Sequence, residues 1–140
     1  MTQRAMLVSR AELNPRGYAL TPTQVTNQAK LLRAINRVRN AYGKPMIVTS
    51  GVRSWEEHAA IYARQKRQPP KGSAHLSGAA CDVFDGDKKL WHWCLDHLDL
   101  IRKWGLYLED GNSTPNWLHF QVIPPASGNT VFIPFIKAAK

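Results

Sequence analysis

Cysteine is scarce in this sequence, with Cys81 and Cys94 the only two. Two thiols make a poor disulfide framework, and no CxxC pair is present to hold a metal or run redox exchange. Each is expected to be a buried free thiol. Long apolar runs are missing too. Nothing approaches the roughly 18 apolar residues of a membrane helix, so no membrane span is expected. The opening Met1-Thr2-Gln3-Arg4 carries a positive charge, but Met6-Leu7-Val8 is too short for the apolar core of a secretory signal and Arg10 follows it closely. The expectation is a protein made in the cytoplasm and brought to any outside substrate by another factor. Acidic residues are few as well: 10 Asp and Glu against 19 Lys and Arg leave a net charge of +9. That balance favours anionic partners such as nucleic acid, anionic lipid or an acidic cell-wall polymer. No Lys/Arg run exceeds two residues and no nucleic-acid motif appears, so no specific nucleic-acid partner is expected. Internal repeats and low-complexity tracts are absent.

What is present suits one domain over residues 1–140. Hydrophobic residues make up 44% and charged residues 21% of the chain, enough apolar material for a packed core. The stretch up to about Leu20 reads as irregular with one short element. Thr21-Pro22-Thr23-Gln24 reads as a capping box with proline in the first helical turn. Val25, Ala29, Leu32 and Ile35 follow at helical spacing, Lys30, Arg33 and Arg37 take another face, and Gly43 and Pro45 end the helix. Met46 to Ser50 reads as a buried strand. Ser54-Trp55-Glu56-Glu57 reads as a second capping box, opening a helix to about Arg64. Residues 68–78 form a loop, and Ala80 to Phe84 a short strand. A third helix is predicted from about Lys88 to Lys103, with Leu90, Cys94, Leu98 and Ile101 as its stripe. Leu106 to Glu109 and Trp117 to Ile123 read as strands, with an edge strand at Thr130 to Ile133. Helices and strands occur without strict alternation, which gives an α+β class.

Three stretches carry candidate chemistry. In the first, His75 sits in a loop and Asp82 on the following strand, with small residues between them. The second is Trp117-Leu118-His119-Phe120-Gln121. Alternate side chains of a strand share a face, so Leu118, Phe120 and Val122 are expected in the core while His119 and Gln121 face a cleft. The third is Ser50-Gly51-Val52-Arg53-Ser54, a strand end delivering an arginine to a helix start. Imidazole and carboxylate ligands suit zinc, and three protein ligands leave a fourth position for water. Such a metal lowers the water's pKa and polarises a carbonyl. Taken singly, each residue has a plainer reading: His119 a hydrogen-bonded structural histidine, Asp82 a turn residue, Arg53 a surface charge.

Together they resemble the peptidase M15 group. Ser73-x-His75-x-x-Gly78-x-Ala80-x-Asp82 is similar to its first zinc motif, and Trp117-x-His119-Phe120 to its second. Ser50-Gly51-Val52-Arg53-Ser54, with Tyr62 eight residues on, resembles its SGxRS segment. The group includes D-alanyl-D-alanine carboxypeptidases and dipeptidases and phage L-alanyl-D-glutamate endopeptidases, and the hedgehog metal-binding domain shares its fold. The resemblance implies an α+β domain with a small antiparallel sheet flanked by helices. It implies Zn2+ held by His75, Asp82 and His119, and Arg53 contacting the substrate or transition state. Ser73 and Trp117 are further candidates for substrate contact. The implied substrate is a peptidoglycan stem peptide, and the implied role a monomeric phage endolysin or related wall hydrolase.

The pattern departs from the family at one position. Relatives place an acidic residue three positions before the last histidine, as general base. Here that residue is Asn116, whose amide does not accept the water's proton at neutral pH. Glu109 and Asp110, at the end of the preceding strand, are the candidates to replace it. His58, where relatives often carry glutamine, is expected on the helix surface, and His92 and His97 are expected to be structural. Two other functions compete: a zinc-holding module that binds wall peptide or a protein partner without cutting it, motivated by Asn116, and nucleic-acid binding through Lys30, Arg33 and Arg37.

Overall fold

The computed structural model describes residues 7–69 and 71–133. The ends of the expected 1–140 domain, including Met1 to Met6 and the tail beyond Ile133, lie outside these residues. Among the described residues, no helix is long and apolar enough to cross a membrane.

A short helix, α1 (Arg10–Leu13), is closed by a full capping box between Ser9 and Glu12. The long helix α2 (Pro22–Tyr42) starts as its sequence predicts. Thr21 accepts from the Gln24 amide, the Gln24 side chain returns to the Thr21 amide, and Gly43 ends the helix at φ +80°. Helix α3 (Trp55–Arg64) has only half of its expected box. Ser54 Oγ accepts from the Glu57 N–H, but the Glu57 carboxylate accepts from the Tyr18 hydroxyl at 2.8 Å instead of turning back.

The expected third helix is two. Helix α4 (Lys89–Asp96) stops at His97, and α5 (Leu98–Lys103) begins beyond it. The apolar stripe runs across the break, so periodicity does not reveal it. His97 makes the break: its ring Nδ1–H donates to the Trp93 carbonyl at 2.7 Å, the acceptor its own N–H would use in a continuous helix. That N–H goes to Cys94 O instead.

Five strands form one sheet in the order β1-β2-β4-β3-β5, from β1 (Val48–Ser50), β2 (Ala80–Phe84), β3 (Tyr107–Glu109), β4 (Trp117–Gln121) and β5 (Val131–Phe132). The sheet is antiparallel as expected except at its edge, where β5 pairs parallel to β3. One face packs on the helices. Cys81, Val83, Leu108, Leu118 and Phe120 meet Leu31, Ile35 and Val38 of α2, Leu90 and Cys94 of α4 and Ile101 of α5. Each fully buried Leu, Ile or Phe contributes about 2 kcal/mol. Both cysteines are free and buried, and burial pushes their thiols above the usual range.

The other face carries the polar residues of the same strands. Ser50 pairs with Asp82, and Asp82 with His119. The β3–β4 register sets Leu108 opposite Phe120, and extending it by one residue sets Glu109 opposite His119. Glu109 in turn pairs with Phe132. Residues opposite one another in a ladder share a face, so one row across the sheet reads Ser50, Asp82, His119, Glu109, Phe132.

Candidate metal centre

His75, Asp82 and His119 come together on that polar face. One ligand atom from each lies within 4.8 Å of the others, and all three residues are buried. His119 Nδ1 is 2.9 Å and His75 Nε2 is 3.3 Å from the same carboxylate oxygen, Asp82 Oδ1. The two imidazoles stand edge to face with centroids 5.1 Å apart.

The outer nitrogens of both rings are committed. His75 Nδ1–H donates to the Gly51 carbonyl at 2.8 Å. A carbonyl only accepts, so the inner Nε2 is left with a lone pair. His119 Nε2 meets Gln121 Oε1 at 2.7 Å. The orientation of that amide is set from behind, because Gln121 Nε2 donates to the Ile123 carbonyl at 2.7 Å. Oε1 therefore faces His119 and accepts, and Nδ1 keeps the lone pair. Two imidazole lone pairs thus converge on one carboxylate oxygen. Such an arrangement needs a cation: a proton is one solution, and a metal ion satisfies all three groups at once. The donor set, two imidazole nitrogens and a carboxylate with ring orientations fixed by outer hydrogen bonds, fits a metal centre with one position left open.

The charges agree with this. Burial alone would raise the Asp82 carboxyl, but His75 and His119 overcome it and hold it far below the usual carboxylate range. Burial lowers His75. Burial acts the same way on His119, yet the hydrogen bond to Asp82, its charge and that of Glu109 leave His119 raised.

Arg53 braces the other side of Asp82. Its Nη2 donates to Asp82 Oδ2 at 3.5 Å and its Nε to Ser50 Oγ at 3.1 Å, while Nη1 lies 3.3 Å from His58 Nδ1. His58 is fully buried, not on the helix surface as expected. Its ring contacts those of Trp55 and Tyr62, with centroids 5.6 and 4.8 Å away. An arginine N–H only donates, so His58 Nδ1 accepts there. His58 stands one helical turn beyond the cap, its N–H donating to the Ser54 carbonyl at 3.0 Å.

The remaining residues of the SGxRS segment also have local reasons. Gly51 lies so close to α1 that a Cβ there would stand 2.2 Å from the Leu13 carbonyl oxygen. Ser54 caps α3. Ser73 Oγ accepts from the His75 N–H at 3.3 Å and so shapes the loop that carries the histidine. Trp117 is half-buried at the start of β4, two residues before His119 and on its face.

The two base candidates separate by position. Glu109 stands in the row beside His119, half-buried, and burial raises its carboxyl against the opposing pull of His119. Asp110 caps the 3-10 turn at Gly111–Ser113, its carboxylate accepting from the Asn112 N–H at 3.0 Å. Asn116 is exposed at the turn into β4, and its carbonyl accepts from the Asp85 N–H at 2.8 Å.

Among known families, the profile of one described as Peptidase M15 matches residues 6–94, more than half of the chain. That span contains Arg53, His75 and Asp82. His119 and Glu109 lie beyond it and join it through the sheet pairing. None of the curated proteins searched matches the chain.

Proposed function

The chain belongs to the peptidase M15 family, and from that premise we propose that it is a single-domain, monomeric zinc peptidase cutting peptidoglycan stem peptides, an endopeptidase of the phage endolysin type. The observation that carries this reading is the convergence of His75, Asp82 and His119. In this reading the protein reaches the wall after release by another factor, and nucleic acid is not its partner.

Zinc held by these three residues would supply a water of lowered pKa and a polarised scissile carbonyl. Glu109 accepts the water's proton and passes it to the leaving amide nitrogen as the C–N bond breaks. Its raised carboxyl favours such a role, because a more basic carboxylate takes the proton more readily. Asp82 is held by Arg53 through its outer oxygen, which keeps the inner oxygen aimed at the metal position. The Arg53 guanidinium also supplies positive charge beside the site, for a substrate carboxylate or the developing oxyanion. Trp117 and Ser73 flank the ligand strand and the ligand loop, where a peptide would lie.

The test is a digest of purified peptidoglycan by the zinc-loaded protein, with new termini read by mass spectrometry. New amino termini at one stem-peptide bond are expected, and Glu109→Gln should cut the rate at least about 100-fold while zinc stays bound. Release of free D-alanine alone would make the enzyme a carboxypeptidase. Asn116 favours a second reading, a zinc-binding module that recognises wall peptide without hydrolysing it. Absence of product from zinc-saturated protein across several wall types would establish that reading instead.

A further inference from the structure

A groove of about 510 Å³ opens where the C-terminal end of α2 meets the end of β2, and the metal chemistry leaves it unused. Its size lies in the range of small-molecule sites. Tyr42, Lys44, Met46, Phe84, Asp87 and Lys89 line it. Phe84 is 54% exposed, although the other four residues of β2 are buried. Its ring is nevertheless seated. The far end lies over Gly86, where a Cβ would stand 2.8 Å from Cζ. Among the described residues it packs on no other ring, whereas the Tyr42 ring already carries Lys44 Nζ 5.5 Å from its centroid and meets Trp93 at 5.8 Å.

The rim is polar and its charges balance. Lys44, Asp87 and Lys89 are exposed. Asp87 Oδ1 accepts from the Lys89 N–H at 3.1 Å, which holds that carboxylate beside the turn. Neither lysine forms an ion pair among the described residues. Beneath them lies Asp85, buried, with its two oxygens accepting from the Leu90 and Trp91 N–H groups. Two lysines thus stand with two aspartates. Such a groove has no reason to select an anion or a cation, but it sets donors and an acceptor beside an aromatic ring.

Its place follows from the strand register. Phe84 pairs with Trp117, and Asp82 with His119. Residues two apart on a strand share a face, so the Phe84–Trp117 row lies about 7 Å from the row of metal ligands. Trp117 joins the two.

We propose that this groove binds a pyranose ring of a neutral saccharide, stacked on Phe84. The face of a pyranose is a set of C–H bonds that packs on an aromatic ring, and its edge carries hydroxyls that both donate and accept. Lys44 and Lys89 donate at that edge and Asp87 accepts. A nucleobase also stacks on aromatic rings, but a nucleotide brings phosphate, which a charge-balanced groove does not attract. Sugar binding does not depend on the peptidase reading. The Trp117 row lets one ligand that carries both sugar and peptide span the groove and the metal centre.

The experiment is an amide NMR titration of the full-length, zinc-loaded protein with a neutral tetrasaccharide of β-1,4-linked N-acetylglucosamine. Shifts are expected at Lys44, Gly86, Asp87 and Lys89, with a Kd of about 1 mM. Phe84→Leu keeps apolar bulk but removes the ring, and should weaken binding at least about tenfold. Phe84→Tyr should retain it. Gly86→Ala should weaken it by pushing the ring from its seat. All three variants should melt near the wild type, since both positions are exposed. Absence of shifts in the groove, binding that is unchanged in Phe84→Leu, or tighter binding of adenosine monophosphate than of the tetrasaccharide would overturn the proposal. The wall digest judges the peptidase reading separately, since a sugar can bind whether or not a peptide is cut.

Discussion

Gln121 decides which nitrogen of His119 faces the metal position. Its amide is turned by the Ile123 carbonyl, so its oxygen takes the Nε2 proton and leaves Nδ1 free. Gln121→Leu removes that acceptor without touching a ligand. Zinc affinity is expected to fall by about 10- to 100-fold, as for other outer partners of metal-bound histidine, and a competition titration against a chelator would read it. Unchanged affinity would mean that His119 keeps its tautomer by other means. His75, Asp82 and His119 were legible in the sequence because their motifs are compact and ordered along the chain. Gln121 was legible only as a cleft-facing residue, because its role depends on the direction of a backbone carbonyl. His58 was misjudged for a related reason: helical spacing alone did not show that its face would be covered by Arg53 and two aromatic rings.

Two elements hold the ligand loop in place, and they predict different costs. Helix α2 contacts that loop at its first turns, where Gln24 donates to Leu76 O and Asn27 to Ser77 O. Thr21→Ala removes the α2 cap and should cost about 1 kcal/mol in denaturant unfolding, with little change in metal binding. Gly51→Ala should cost more, because its Cβ would meet the Leu13 backbone at 2.2 Å and backbone must move. It should weaken zinc binding as well, since the Gly51 carbonyl orients His75. A Gly51→Ala protein with wild-type stability would show that α1 yields freely. The Thr21 box and the Gly43 stop were readable, because capping is a local pattern, while at Ser54 the missing return bond was not, since Tyr18 engages the Glu57 carboxylate from far along the chain. The break at His97 was not, since Leu98 and Ile101 continue the stripe of Leu90 and Cys94. Nor was the parallel pairing of β5, which depends on where the chain returns and not on its own residues.

Across the whole molecule, the centre depends on joining distant parts of the chain. Asp82 and His119 meet through the β2–β4 pairing, and Glu109 and Phe132 arrive from the far side of the sheet. The α+β class was legible from helices and strands that occur without strict alternation, and the helix-flanked sheet from the family resemblance. The single row across the strands was not, because register is set by pairings between segments far apart in sequence. Metal binding should therefore stabilise the fold: at about a thousandfold excess over Kd the gain is about 4 kcal/mol. For a chain of this size, chelation should lower Tm by about 10 °C, read by calorimetry with and without zinc. The most direct test of the whole account is metal content by native mass spectrometry of the wild type, His75→Ala, Asp82→Ala and His119→Ala after zinc loading and desalting. The expected result is one zinc per wild-type chain and its loss from each variant. Stoichiometric zinc retained in both histidine variants would contradict the centre described here.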